Sequence, residues 1–275
     1  MKSLYLTVWQ SFIRYYEVSG EGTTLVYLAG LGIPSLINFL PVLTHVDMGM
    51  HHSILVDYLG CGLSDHPAGF DYSIENHALA VAAVLDHENI KDCTIIGHSM
   101  GGTVGIMLAI LRPDLVAKLI VAEANISPGG GSLSRQVASH SEAEWVNAAH
   151  HALLDGLRTA AIGGNSFAAL ASGTWRTVDP VGFYRGAAAM VQLEPALKEQ
   201  FLKLSIPRTF VYGENSLPEN TGGVQPDAPD PKELERHGIN IAVVANAGHG
   251  MIFENLQGFV DVLKTAMMKA EGSQG

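Results

Sequence analysis

Short apolar runs that alternate with helical patterns are the feature that most constrains the fold of this chain. The runs are rich in β-branched and aromatic residues, which is typical of strands covered on both faces of a sheet. Most are separated by segments with apolar residues at helical spacing, as at Ala78, Val81, Ala82 and Leu85. The alternation predicts an α/β fold with a mostly parallel central sheet flanked by helices. The predicted strands lie at 24–28, 53–57, 94–97, 119–122, 209–212 and 241–244.

A segment without strand-like runs interrupts this alternation. Between about residues 127 and 203 the sequence has helix-like stretches at 141–161, 164–172 and 180–203. We expect this helical insertion to lie as a cap over the carboxyl ends of the strands. The predicted domain organisation is a first part of the core at 1–126, a helical cap at 127–203 and a second part of the core at 204–275.

The two ends of the chain and one long loop complete the outline. Residues 4–18 alternate apolar and polar side chains, which predicts one or two antiparallel strands at the edge of the sheet. Residues 215–232 are rich in Pro, Gly, Asn and Asp, which predicts a surface loop. A helix is predicted at 255–269, followed by a frayed tail at 270–275.

The charge balance limits the classes of partner. The chain of 275 residues has 16 Lys and Arg against 27 Asp and Glu, which gives a formal net charge of −11. Nucleic acids and anionic membranes are bound by clustered basic residues, and the sequence has no such cluster. No uninterrupted apolar stretch reaches the roughly 18 residues of a membrane span. The expected partner is therefore a small molecule, without nucleic acid or membrane, and a homodimer is left open.

The cysteine and histidine patterns do not indicate a metal or a disulfide framework. Cys61 and Cys93 have no CxxC partner, which favours a reduced, cytoplasmic protein. The histidines follow no HExxH or HxH ligand spacing. We therefore predict neither a metal nor a cofactor.

The strongest chemical signal is a Gly-x-Ser-x-Gly motif at 97–101, which follows a buried strand and precedes an apolar helix. This spacing is typical of a sharp strand-to-helix turn that exposes a serine hydroxyl, with glycines where side chains would collide. The helix N-terminus favours negative charge that develops beside the turn. The pattern predicts Ser99 as a nucleophile.

A serine nucleophile needs a base, and a base is expected on a loop after the last core strand. His249 follows the predicted strand at 241–244 and precedes the final helix, so it lies on the same sheet edge as Ser99. We predict His249 as the base. His98 adjoins Ser99, and its side chain is expected to pack beneath the turn because neighbouring residues of a strand point to opposite sides.

The motif at 97–102, His249 and the strand order resemble the α/β-hydrolase fold superfamily, and the resemblance covers nearly the whole chain. Residues 28–32 and 56–65 are also similar to the family's His-Gly oxyanion loop and its Asp-x-x-Gly-x-Gly-x-Ser loop. Ala29 departs from the pattern, since many members have His at that position.

The resemblance implies an oxyanion hole that uses two backbone N–H groups. These are the N–H groups of Leu31 and Met100, the second being the residue after the predicted nucleophile. Gly30 is expected to line the substrate-binding turn. A plain turn that ends the strand is the alternative reading of Gly30 and Gly32.

The resemblance leaves more than one candidate for the acid of a triad. Many members carry an Asp three residues after the Gly equivalent to Gly213, and this chain has Ser216 there. The other site used by the family is the end of the preceding core strand, where this chain has Glu123. We predict Glu123 as the acid, with Glu214 and Asp227 as alternatives.

These residues predict acyl-transfer chemistry on a carboxylic ester. A serine nucleophile separates the chain from the similar haloalkane dehalogenases and epoxide hydrolases, which attack with Asp. The insertion is rich in aromatic residues and has no cluster of arginines suited to an anionic substrate, which favours a small, mostly apolar ester. Trp145, Trp175 and Tyr184 are the predicted substrate-binding residues of the cap.

Three alternatives use the same residues. A lactone hydrolase would open a cyclic ester with the same triad, and a cofactor-free perhydrolase or haloperoxidase-like enzyme would use peroxide in place of water. A small-ligand receptor on the same fold would bind without rapid turnover. Fold alone does not distinguish these functions.

Overall fold

An eight-stranded sheet forms the centre of the protein, in the order β1-β2-β4-β3-β5-β6-β7-β8. The computed structural model describes residues 1–223 and 228–268. The second strand pairs antiparallel with the first and with the fourth, and the remaining neighbours are parallel. The mostly parallel sheet is thus confirmed. The strands are β1 Lys2–Leu6, β2 Ser11–Val18, β3 Glu21–Leu28, β4 His51–Asp57, β5 Cys93–His98, β6 Val116–Ala122, β7 Arg208–Gly213 and β8 Asn240–Val244.

The sheet is covered on both faces, as the apolar runs predicted. Along β3, Val26 and Leu28 point into one hydrophobic cluster, whereas Leu25 and Tyr27 point into the other. The alternation follows from the two-residue period of a strand, which places successive side chains on opposite faces. The four residues of β3 from Leu25 to Leu28 are therefore all buried, and their sequence reads as a continuous apolar run.

Helices cover both faces, and a run of helices connects β6 to β7. Between residues 123 and 207, all of which are described, the chain forms no strand. A π-helical turn at Trp145–Ala149 joins two helices of this run, and short 3₁₀ turns lie at Trp175–Thr177 and Glu214–Ser216. The helices are α1 Ser35–Leu43, α2 Ile74–His87, α3 Met100–Leu111, α4 Ser132–Ala138, α5 Glu142–Glu144, α6 His150–Ile162, α7 Ser166–Thr174, α8 Pro180–Val191, α9 Ala196–Lys203, α10 Pro218–Thr221, α11 Pro231–Arg236, α12 Met251–Glu254 and α13 Leu256–Met268.

Two local predictions differ from the structure. The stretch predicted as helical at 180–203 is two helices, since α8 ends at Val191 and α9 begins at Ala196. Pro195 precedes α9, and a proline cannot continue the hydrogen-bond ladder of the helix before it. The apolar run at 241–244 predicts a strand buried on both faces, but β8 is an edge strand and Val243 is 41% exposed. The predicted tail at 270–275 lies outside the described residues.

No helix in the described part of the chain is both long and apolar enough to cross a membrane.

The stability of the protein should fall in acid because of a buried histidine on α2. His77 packs against the rings of Tyr58, Phe70 and Tyr72, and burial lowers its pKa to about 4, against a weaker opposing effect of Asp71. Between pH 6.5 and 4 the unfolded chain binds a proton at this residue that the folded protein does not, so the free energy of unfolding decreases as pH falls.

The neutral, buried His77 should account for about 3 kcal/mol of the free energy of unfolding at pH 7. This contribution is lost progressively as the pH falls from about 6.5 to 4. Urea unfolding of the native protein and of His77→Phe at pH 7, 5.5 and 4 measures it, since Phe fills the aromatic cluster without titrating. An equal loss of stability in both proteins would contradict the prediction.

Candidate active site

Ser99 lies at a sharp turn between β5 and α3. Its backbone φ and ψ are 54° and −125°, a conformation that non-glycine residues rarely adopt. Its N–H donates to the carbonyl oxygen of Ala122 at 2.8 Å, which attaches the turn to the neighbouring strand β6. The side chain of Ser99 is half-buried at the N-terminus of the helix. The turn thus has the geometry that the glycine–serine spacing predicted.

The glycines of the motif are required by close backbone contacts. A Cβ atom on Gly101 would lie 2.0 Å from the carbonyl oxygen of Leu28, and one on Gly97 would lie 2.5 Å from the carbonyl oxygen of Gly101. Both atoms belong to backbone, so neither contact can be relieved by a side-chain rotation. The first turn of α3 therefore packs directly on the ends of β3 and β5.

Replacing Gly101 by alanine should destabilise the protein strongly. We expect Gly101→Ala to lower the free energy of unfolding by about 3 kcal/mol, because the added methyl group collides with the backbone of Leu28. Gly156→Ala is the matched control, since Gly156 is an exposed residue of α6 with open space around it, and alanine there should stabilise the helix by about 0.5–1 kcal/mol. Urea unfolding measures both, and equal stabilities of the two variants would contradict the expected clash.

His249 lies on the loop between β8 and α12, and Glu123 follows the last residue of β6. The His249 Nδ1 atom is 3.6 Å from the Glu123 Oε2 atom, an ion-pair distance longer than a good hydrogen bond. The His249 side chain is 60% exposed, whereas that of Glu123 is 8% exposed. Residues 126 positions apart in the sequence are therefore brought together at one edge of the sheet.

The environment of Glu123 favours its charged form. Burial acts to raise its pKa, but His249, the N–H of Gly213 and the hydroxyl of Ser216 outweigh burial and hold the pKa below its ordinary value. The Gly213 N–H donates to Oε1 at 2.8 Å, which fixes the carboxylate. The hydroxyl of Ser216, three residues after Gly213, thus supports the carboxylate of Glu123.

The two other candidate acids have different positions. The Oε2 atom of Glu214 accepts a hydrogen bond of 2.7 Å from the N–H of Asn246, so it holds the loop that carries His249. Asp227 lies outside the described residues. Of the candidates whose contacts are described, Glu123 forms the ion pair with His249.

The turn after β3 lies beside Ser99. A Cβ atom on Gly30 would be 3.4 Å from the Cβ of Ser99, and the Gly30 N–H donates to the side-chain oxygen of Asn38 at 3.1 Å. Leu31 and Met100 both approach α8, because a Cβ atom on Gly186 would lie 3.1 Å from Leu31 Cδ1 and 3.8 Å from Met100 Sδ. The two residues whose N–H groups are implied in an oxyanion hole are therefore close neighbours.

The predicted cap residues take different positions. Trp175 is 3% exposed, and its Cδ1 would be 3.1 Å from a Cβ on Gly32, which places its indole on the turn after β3. Trp145 is 1% exposed, stacks on Phe183 with ring centroids 5.6 Å apart and donates to the Pro180 carbonyl oxygen. Its contacts are thus within the helical segment.

Tyr184 and Phe183 are neighbours on α8 with different surroundings. The Tyr184 hydroxyl donates to the carbonyl oxygen of His140 at 3.0 Å, and its side chain is half-buried. Phe183 has the closer contact with the predicted site, because its Cε2 would be 2.2 Å from a Cβ on Gly32. The sequence placed Phe183 in the cap but carried no signal that singled it out, since apolar residues of a cap serve both its core and a pocket.

Among residues 1–223 and 228–268, no three His, Cys, Asp or Glu side chains are arranged so that they could hold a metal ion.

Comparison with known proteins identifies the fold. The family model described as the alpha/beta hydrolase fold matches residues 34–155. The crystal structure of the enol-lactonase from Burkholderia xenovorans superposes with a TM-score of 0.76 at 18% sequence identity, covering 98% of this chain and all of that one. The chain has the α/β-hydrolase fold. The resemblance inferred from the motif at 97–102 is thereby confirmed.

Curated relatives are similar to this protein over only part of their own length. A putative carbamate hydrolase RutD from Stutzerimonas stutzeri is 37% identical over 120 residues, which are 42% of this chain and 44% of that protein. A cis-3-alkyl-4-alkyloxetan-2-one decarboxylase from Shewanella oneidensis is 32% identical over 110 residues, 39% of this chain and 34% of that protein. The chain thus spans less than half the length of these curated relatives.

Proposed function

We propose that the protein is a serine hydrolase that cleaves the carboxylic ester of a small, mostly apolar substrate through an acyl-enzyme intermediate. The observation that carries this proposal is the placement of Ser99 at a strained strand-to-helix turn, with the His249–Glu123 ion pair at the same edge of the sheet. A strained conformation costs free energy and is expected to persist where it serves a function.

The proposed first half-reaction forms the acyl-enzyme. The Ser99 oxygen attacks the ester carbonyl carbon while the Nε2 atom of His249 takes the hydroxyl proton, since the Nδ1 atom of His249 faces Glu123. The negative charge that develops on the carbonyl oxygen is stabilised by the N–H groups of Leu31 and Met100. His249 then gives its proton to the leaving alkoxide, and the alcohol departs.

The proposed second half-reaction releases the acid. His249 takes a proton from a water molecule whose oxygen attacks the acyl carbon, and the ester bond to Ser99 breaks as His249 returns the proton to the serine oxygen. Glu123 remains ionised and holds the imidazole in the tautomer with a bare Nε2. The lowered pKa of Glu123 supports this role, because the surroundings of Glu123 favour the charged carboxylate.

Aromatic side chains above the turn after β3 support an apolar substrate. Trp175 and Phe183 contact the position of Gly32, next to the proposed oxyanion donor Leu31. Gly30, Trp175 and Tyr184 are the proposed substrate-binding residues, with Phe183 added, and Trp145 supports them through its stacking on Phe183. A neutral acyl or alcohol group suits such a wall better than an anion does.

Hydrolysis of a lactone is the second candidate, and it is favoured by the structural neighbours. They include the enol-lactonase and an N-acyl homoserine lactone degrading enzyme, both similar to this chain along nearly their whole length. The same three residues would open a cyclic ester, with the leaving alkoxide still attached to the acyl group. A curated relative is named a putative carbamate hydrolase. A carbamate also has a carbonyl carbon that a serine can attack, so the same assay should include one.

A substrate panel together with covalent labelling tests the proposal. The native protein is assayed with p-nitrophenyl esters of increasing acyl length, several lactones and an alkyl carbamate, and is then treated with a fluorophosphonate, which bonds to activated serines. We expect hydrolysis of at least one class and a phosphonyl adduct on the peptide that contains Ser99. Absence of both hydrolysis and adduct would overturn the proposal.

The same panel separates the rival functions. Turnover that requires added hydrogen peroxide would favour a perhydrolase. Thermal stabilisation by a panel compound without multiple turnover would favour a receptor, because a ligand that binds the folded state raises the melting temperature.

A further inference from the structure

His98 connects the two residues on which the proposed function rests. It precedes Ser99 in the chain, and its Nε2 atom is 2.8 Å from the backbone carbonyl oxygen of His249. The rings of His98 and His249 lie 5.0 Å apart between centroids, tilted by 47°. The nucleophile turn and the base loop are 151 residues apart in the sequence, and this side chain joins them.

The partner of His98 determines its tautomer. A carbonyl oxygen only accepts hydrogen bonds, so Nε2 of His98 must carry the proton and donate it. The Nδ1 atom is then bare; it has no hydrogen-bond partner among the described residues and faces Gly30. The buried ring is held neutral, since burial and the nearby His249 lower its pKa to about 4, against smaller opposing effects of the His249 carbonyl and Glu123.

Two carboxylates hold the residues just before His249. Glu214 accepts from the N–H of Asn246, and Glu254 accepts from the N–H of Gly248 at 2.6 Å. Glu214 lies next to β7 and Glu254 belongs to α12, so these two elements hold the segment that leads to His249. The hydrogen bond from His98 reaches the base residue itself, from the side of Ser99.

We propose that His98 is a positioning residue that sets the separation of Ser99 and His249 by donating its Nε2–H to the His249 backbone carbonyl, an inference that rests on the proposed function. Because His98 is covalently adjacent to Ser99, a shift of the loop relative to the turn must break or lengthen this bond. A misplacement of about 1 Å between reacting groups can lower a rate by about 100-fold. The hydrogen bond therefore acts on the rate of the chemical step and not on substrate affinity.

Two substitutions distinguish the effect of the hydrogen-bond donor of His98 from the effect of its ring. His98→Gln retains an N–H donor at nearly the position of Nε2 but removes the ring, whereas His98→Phe retains the ring and removes the donor. We expect His98→Phe to lower kcat at least tenfold with KM changed less than threefold, and to slow phosphonylation of Ser99 equally. His98→Gln should stay within threefold of the native protein in both rates. A kcat for His98→Phe equal to that of the native protein, or one for His98→Gln as low as that of His98→Phe, would overturn the inference.

Amide hydrogen exchange gives a second readout that needs no activity. The amides of residues 248–250 should exchange at least tenfold faster in His98→Phe than in the native protein and His98→Gln, at equal melting temperature. If the native protein neither hydrolyses esters nor reacts with the phosphonate, the serine-hydrolase proposal falls, and exchange alone decides whether His98 orders the loop. Unchanged exchange in His98→Phe would overturn that ordering.

The native protein offers a test that does not depend on a folded variant. Nitrogen-15 spectra of the histidine side chains at pH 7 should show His98 with a protonated Nε2 and a bare Nδ1. The opposite tautomer, or a positively charged ring, would exclude donation by a neutral Nε2–H and overturn the inference. His98→Leu replaces His98→Phe if the larger ring prevents folding.

Discussion

Ser99→Ala should lower kcat for the best panel substrate by about 10⁴-fold or more while the protein keeps its melting temperature. The hydroxyl oxygen is the atom that attacks the carbonyl carbon, and alanine has no atom that can form the acyl-enzyme. The backbone strain at this position is unchanged, because alanine and serine pay a similar cost for a φ of 54°. Steady-state hydrolysis and phosphonate labelling measure the effect.

The matched control for Ser99→Ala is Ser139→Ala, since Ser139 is an exposed serine at the end of α4. Its rate should lie within about twofold of the native rate. A Ser99→Ala variant that retains more than a few per cent of the native rate would mean that hydrolysis takes place by another route, such as direct attack by water.

Glu123→Gln should lower kcat by about 10³- to 10⁴-fold, with little change in substrate affinity. Glutamine keeps the shape and still accepts the hydrogen bond from the Gly213 N–H, but it has no charge to stabilise the imidazolium of His249. Its amide can also donate to Nδ1 of His249, which leaves the proton on Nε2 and prevents that atom from acting as a base. The rate should therefore fall even if the side chain stays in place.

Glu214→Gln is the matched control for Glu123→Gln, because it makes the same change to another carboxylate near His249. Glutamine at 214 can still accept from the Asn246 N–H, so the loop keeps its support and the rate should stay within about threefold of the native rate. Measurement of kcat and KM for both variants decides which carboxylate is the acid. A large loss in Glu214→Gln with a small loss in Glu123→Gln would assign the acid to the end of β7.

The sequence was sufficient for the fold because the signals that specify it are local. The continuous apolar run of β3 and the helical period of α2 reflect which side chains are buried, and each can be read within one element. Two features could not be read in this way. The exposure of Val243 depends on the position of β8 at the edge of the sheet, and the division of the helical stretch at 180–203 depends on how α8 and α9 pack.

The candidate site shows the same division between local and long-range information. The glycine spacing around Ser99 predicted the turn because backbone collisions leave few residue types that fit there. For the acid the sequence predicted Glu123 and kept Glu214 and Asp227 as alternatives, since a carboxylate that follows either of two core strands suits the role. The structure brings Glu123 to His249 because β6 and β7 are adjacent and parallel, so that the end of β6 lies against Gly213.

The sequence by itself determined the strand–helix order, the sharp turn at Ser99 and the position of His249 after the last strand. Only the tertiary structure decided which carboxylate faces His249. It also showed that Phe183 and Trp175 contact the turn after β3 and that His98 bonds to the backbone of His249. The physical reason is that dihedral preferences and burial patterns act between neighbours in the chain, whereas these contacts depend on the order and register of strands that are distant in sequence.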